Sequence, residues 1–503
     1  MGCRLAVAAV VVLAGCGDGG SKGGVVSDDP DAAGAIDGAA PDATPGIPFA
    51  DRSWGELELL DLGRHPQVAI DAHGNVMTLW EWEGPSPDFE SRCFTRRRVF
   101  DTSSWEPEHD LVTPEAVSGG LEKPEGTTVG RTEDICTGKA LGTDASGRAA
   151  VVFIHNRSIQ GGTDFGLWWS AMRATFDPDS GWSEPEWAGQ NAPCCAIYGL
   201  TMSAQGTAAL GWSDDGQLWA AAYRPDGGWE DALLVTDTRP DSAILDEFVL
   251  DDHGDGLAVF HIPGRLLAAR LQDGDWQPPV PLDDADFPAT LSSRDIAMNG
   301  EGGALMVWRR CPSADLCEIR ARHFDPVSGW AGPVTVAPIG DLDGAFDQEM
   351  QVAIDARGNG LLVWVESWPD PEGTQHPDTG ELLRFNEVNV ARFRDGAWRD
   401  AESLHAGELG DGRRYPRVAL DDAGNGLVAW WWWRYWYQDA SWDPHSEFAV
   451  QTYTPDDGFG ARETLELLIP STSGTPPDLA MNPSGVGVAV WGRNDQGRVR
   501  IFR

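Results

Sequence analysis

The chain has 503 residues, 41% hydrophobic and 23% charged, which is globular composition with enough apolar matter for a large core. Its formal net charge is −42, from 79 acidic and 37 basic residues. That balance excludes nucleic acid as a partner, since phosphate binding needs a basic surface, and its ordinary meaning is solubility, with a cationic partner or calcium as the sharper alternative.

In chain order, the first element is an address. Arg4 is followed by an apolar run, Leu5 to Leu13, and then by Leu13-Ala14-Gly15-Cys16, the charged, apolar and small-residue parts of an export signal. The last four residues resemble a bacterial lipobox, and the resemblance implies cleavage before Cys16 and diacylglycerol on its sulfur. An ordinary signal peptide with a chance cysteine is the alternative. Residues 1–15 are then the removed signal. The apolar run is too short to cross a bilayer, so membrane attachment is expected through the lipid anchor alone, at the bacterial cell envelope, either periplasm-facing or on the outer-membrane surface. Residues 16–48 are mostly Gly, Ala, Asp, Ser and Pro with little to bury, and read as a flexible tether. Nearly all the negative charge therefore belongs to residues 49–503.

Beyond Cys3 and Cys16 there are six cysteines, an even count that suits disulfides in an exported protein. Cys311 and Cys317 flank a five-residue turn and are expected to pair. Cys93, Cys136 and the vicinal Cys194 and Cys195 are left with their pairing open. No C-x-x-C motif supports redox or zinc chemistry.

The body is a repeat. Glycines 74, 147, 206, 254, 302, 358, 424 and 485 each follow, by three residues, Asp71, Asp144, Ser203, Asp251, Asn299, Asp355, Asp421 or Asn482. Each precedes, by six, Trp80, Phe153, Trp212, Phe260, Trp308, Trp364, Trp430 or Trp491. An alternating run such as Gln351-Val-Ala-Ile-Asp355 comes first and reads as a strand with a small central residue, suited to crowding near a common axis. The Asx or Ser side chain can bind amides two residues on and Gly supplies positive φ, so D-x-x-G is a turn and the aromatic ends the second strand of a hairpin. A second hairpin follows, with a tight Asp/Gly turn before Trp105, Trp182, Trp229, Trp276, Trp330 or Trp398; Phe459 stands there in the seventh copy. The eighth copy lacks this last strand, and Asp51-Arg-Ser-Trp54 through Leu62 matches it at the other end of the chain. Four strands in each of eight units, closed by the N-terminal strand, predict an all-β propeller over 49–503, with seven blades and one divergent unit as the alternative count.

The D-x-x-G pattern with a following Trp resembles the Asp-box repeats of sialidase-like propellers. It departs from them at the residues before the Asp, such as Ala69 and Ala353, and in the later Trp, so the resemblance carries the fold only. The sialidase-like glycoside hydrolase it brings as an alternative function requires an arginine cluster and a tyrosine nucleophile with a carboxylate, and no spacing identifies such a set. Tyr415-Pro-Arg417 echoes the arginine-bearing motif of those enzymes.

Strand direction sets a parity. Both kinds of tight turn fall on one face and both kinds of long connection on the other. The connections vary, from Ser213–Gln217 and His261–Gly264 to long ones over 366–387 and 431–444. The last of these holds the candidate ligand-binding residues Trp431, Trp433, Arg434, Tyr435, Trp436, Tyr437 and Trp442, whose aromatic faces suit a sugar ring or a protein partner. The competing reading is that several of them extend strands and cover a neighbouring blade. Histidines are scattered without paired spacing and the Asp turns lack a calcium-loop pattern, so no metal, cofactor or catalytic residue is assigned. A monomeric binding module for a protein or carbohydrate is the expectation.

Overall fold

The structure is a computed structural model. It describes residues 48–503 apart from 84–90, 101, 103, 112–133, 162–163, 189–198, 215, 240, 242, 284–292, 314–315, 340–349, 376–379, 381, 408, 435–436, 439–440, 443–444, 469–473 and 494–495. Eight small antiparallel sheets form an eight-bladed propeller. In the sixth blade Met350–Ile354, Gly360–Pro369 and Arg384–Arg394 follow one another outward from the axis. The fourth strand is split into Ala397–Trp398 and Glu402–His405, which pair with the end and the middle of the third. The same split recurs in blades 2 to 7.

Each blade's sheet has a neighbour on both faces, which is why strands such as Leu361-Leu-Val-Trp364 are apolar without alternation. Eight clusters of buried side chains result, one in each gap between consecutive blades. In the seventh blade Val418, Val428 and Trp430 face blade 6, while Ala419, Leu427 and Ala429 face blade 8. All eight repeat aromatics, Trp80 through Trp491, are buried. In blades 2, 3, 5 and 6 the Trp of the split strand packs on an aromatic of the third strand, as in Phe324–Trp330 at 5.2 Å and Phe393–Trp398 at 5.3 Å between ring centroids, and in blade 4 Trp276 packs instead on Phe248 of the inner strand.

The eighth blade makes this aromatic pair from the two ends of the chain, Trp54 on Phe502 at 5.4 Å. Glu58–Leu62 pairs antiparallel with Gln496–Phe502, so the first strand completes the last sheet as expected. Glu58 then reaches into the first blade, accepting from Trp105 Nε1 at 2.8 Å and facing Arg98 at 3.1 Å. This clasp joins blade 8 to blade 1 and covers the edge that Gln496–Phe502 would otherwise leave.

Candidate functional site

The face carrying the D-x-x-G turns is built for structure. Asp355 Oδ1 accepts the amides of Arg357 and Asn359, and its Oδ2 accepts Asn359 Nδ2. Asp71 and Asp421 do the same. Burial pushes the carboxyls of Asp71 and Asp421 above the usual range even so. The turns also hold one another around the ring. Ala145 donates to Ala204 O, Asp252 to Gly300 O, Asp422 to Pro483 O, and Asn482 Nδ2 to Asp71 O. The Trp-side turns share this face, because Pro225, Pro326 and Pro455 lie beside Gly206, Gly302 and Gly424. The parity expected from strand direction is thus observed.

Four residues before the turn residue of the inner strand, six of the eight blades carry a polar side chain near the axis, blades 2 and 3 having Ala140 and Gly199 there. Glu247 accepts the amide of Ile296, Asp295 that of Val352, Gln351 that of Val418, and Asp478 that of Val68, at 2.6 to 3.2 Å. Each bond runs from one blade to the next and satisfies an amide on the inner edge. Burial pushes Asp295 up to about 7 and Asp478 up to about 6, while Arg417 pulls both down. Glu247 is raised well above the usual range by burial and by Asp295 beside it. These groups are partnered within the fold, and their work is to join blades.

The opposite face is uneven. Blades 3 and 4 turn back after Asp214 and Ile262, whereas Ala149–Gly161 with Asp164–Asp177 in blade 2, and Gly360–Pro369 with Arg384–Arg394 in blade 6, rise well beyond them. In blade 5 the Cys311–Cys317 disulfide pins the corresponding link. Cys93 is also in a disulfide.

Among the described residues, two side-chain groups on this face stand out. At blade 7, a bulge in the inner strand between Arg414 and Arg417 holds Tyr415 at φ +56°. His65 has φ +48° at the matching bulge of blade 1, and each is followed by proline, whose missing N–H removes no ladder bond on an inner edge. The bulge turns the Tyr415 ring alongside Trp431, with centroids 6.1 Å apart and planes 26° apart. Trp431 Nε1 donates to Ser446 Oγ at 2.6 Å, which fixes the indole. Both rings are half-buried. Trp431 follows Ala429 and so lies on the side of blade 8, whose second and third strands have only seven residues each. At blades 4 and 5, Asp246, only 2% exposed, accepts His261 Nδ1 at 2.8 Å and faces Arg294 of the next blade.

The predicted aromatic set divides. Trp431 is on the variable-loop face, half-buried beside Tyr415. Its neighbour Trp432 is buried against blade 6, under His405 and Arg462, so at this position the strand-extension reading holds. Trp433 and Arg434 continue the same strand opposite Ser446 and His445, and Tyr437 pairs with Trp442 across a two-residue ribbon. The side chains of these four, and Tyr435 and Trp436 altogether, lie outside the described residues. Sequence reasoning did not place Tyr415 beside Trp431, although Tyr415-Pro416 within the inner strand repeats His65-Pro66 and marks the bulge. It also missed Asp246, His261 and Arg294, which no motif connects. Among the described residues, no carboxylate is bonded to the Tyr415 hydroxyl.

No family model and no curated protein matches this chain. Solved structures similar to it include an ulvan lyase of a polysaccharide lyase family, at 10% identity over 88% of this chain and 95% of that one, with TM-score 0.41. The intramolecular trans-sialidase from Ruminococcus gnavus has 10% identity over 87% and 94%, with TM-score 0.36. AofleA from Arthrobotrys oligospora has 11% identity over 70% and 91%, with TM-score 0.33. At these identities and scores the similarity carries no argument about activity.

Proposed function

We propose that this chain is a lipid-anchored bacterial envelope protein whose propeller binds carbohydrate on its variable-loop face, at the shelf formed by Trp431 and Tyr415. The observation that carries the reading is the shelf itself. A left-handed backbone at a bulge and a hydrogen-bonded indole hold two aromatic rings half-exposed above a low neighbouring blade. A tyrosine held in the left-handed region, which favours glycine, has a backbone cost of about 1 kcal/mol, which marks a position shaped for use. Near-parallel aromatic faces with polar tips suit the apolar face of a sugar ring. Anchoring rests on the Leu13-Ala14-Gly15-Cys16 motif.

The test is binding of the soluble 48–503 fragment to a panel of polysaccharides and envelope extracts, beside Trp431→Ala and Tyr415→Ala. At least a tenfold loss of affinity in either variant is expected. Undiminished binding in both overturns the shelf, and retention by envelope proteins alone, with no polysaccharide bound, replaces carbohydrate by a protein ligand. Detergent partitioning of the full chain against Cys16→Ser checks the anchor.

A further inference from the structure

The place where the chain enters the propeller sets how an anchored propeller faces its membrane. Phe49–Asp51 forms a single turn of 3-10 helix, and Phe49 packs into the gap between blades 7 and 8 on Phe502. The turn glycine of blade 8, Gly485, locates this point, since a side chain there would meet Phe49 at 3.2 Å and Arg52 at 3.1 Å. Arg52 also sits in the field of Asp421, the turn carboxylate of blade 7. All these partners belong to the tight-turn face. Pro48, the residue before them, is exposed.

From this geometry we infer that the tether leaves from the tight-turn face, so that the variable-loop face points away from the anchoring membrane and takes its ligand from the far side. The inference rests on the lipid-anchored reading above. A linker of roughly 30 residues with Gly-rich composition has a root-mean-square reach of about 30 Å. The separation of the two faces is similar, because Leu316–Asp325 spans from one to the other in 10 residues, at about 3.3 Å each. Turning the loop face toward the membrane would make the linker pass round the whole body. The tight-turn face does not adhere to anionic lipid either, since its turns carry Asp177, Asp226, Asp252, Asp273, Asp325 and Asp457. It is held off the surface beyond about 8 Å, the screening length at physiological salt. The carbohydrate ligand is accordingly one displayed outside the protein's own membrane, not a headgroup within it.

The experiment uses the full lipidated chain in vesicles of phosphatidylethanolamine and phosphatidylglycerol with a headgroup-borne acceptor dye. A donor is attached at Val327→Cys, on the tight-turn face and 95% exposed, or at Leu382→Cys, on the variable-loop face and 49% exposed; the parent chain, labelled in parallel, supplies the blank. Energy transfer from position 327 at least twofold greater than from position 382 is expected. Equal or reversed transfer overturns the orientation. If the parent chain floats free of vesicles exactly as Cys16→Ser does, anchoring itself is wrong and both readings fall, an outcome distinct from reversed transfer on bound protein.

Discussion

Gly358 and Gly424 occupy the same place in the D-x-x-G turn, with φ of +80° and +85°. Replacing either by alanine forces a side chain into the left-handed region, at a cost of about 1 kcal/mol. They differ in what the new methyl meets. At Gly358 nothing lies within 4 Å, whereas at Gly424 the methyl would stand 2.8 Å from Asp355 Oδ2 and 3.2 Å from Pro455. Asp355 is buried and holds its own turn through three hydrogen bonds, so it cannot move aside without losing them. Overpacking of this kind adds about 1–3 kcal/mol. Gly358→Ala is therefore expected to cost about 1 kcal/mol and Gly424→Ala about 2–4 kcal/mol. For a ring of roughly 450 residues the unfolding entropy is near 1 kcal/mol/K, so these losses are shifts of only about 1 and 3 °C. Urea titration followed by tryptophan fluorescence separates them better, through the midpoint at constant slope. Equal losses would refute the claim that Gly424 is an inter-blade contact as well as a turn glycine, while Gly358 is a turn glycine alone.

Glu58→Ala should cost about 3 kcal/mol in the same titration, because it strips the partner from the buried Arg98 and from Trp105 Nε1; Glu58→Asp, too short to reach both, should restore only part. The axial acids give a pH dependence whose sign follows from their raised values. The folded ring holds protons on Asp478 and Asp295 that the unfolded chain releases near pH 4, so this part of the stability is full below pH 4 and is lost as pH rises through about 6 to 7. Asp478→Asn keeps an acceptor for Val68, and is expected to flatten the decline between pH 4 and 7; an unchanged slope would count against it. Replacing both Cys311 and Cys317 by serine opens a short loop in blade 5, and the chain-entropy argument puts the loss at about 2 kcal/mol, read by calorimetry with and without reductant.

The repeating unit was fully legible in the chain. Asp, Asn or Ser before Gly makes a turn by local chemistry, and the residue six further on is buried in every copy, so closure through Trp54 and the parity of the faces follow from spacing, whereas the count stood at eight with seven as the alternative and the eight sheets decide it. Cys311 and Cys317 were legible for the same reason, being close in sequence. What escaped is chemistry between blades. Gln351, Glu247 and Asp295 look like polar first residues of strands, and only the ring shows that each bonds the amide of the next inner strand. Asp246 and Arg294 are 48 residues apart and belong to different blades. Trp431 and Trp432 are neighbours of one type, yet strand alternation sends one to a shelf and the other into the core.

Closure by the two ends also imposes an order on folding. Glu58 pairs with Val499, so the first strand of the propeller has no partner until nearly the whole chain is present. Seven blades can assemble from hairpins that are local in sequence, but the eighth needs contacts across more than 400 residues, the slow kind. Until then Gln496–Phe502 is an uncovered edge and Arg98 lacks its carboxylate, so the nearly finished ring is the species most exposed to pairing with another molecule. The earliest-made strand acts as the latch, and the rate at which it finds its place sets how long that exposure lasts.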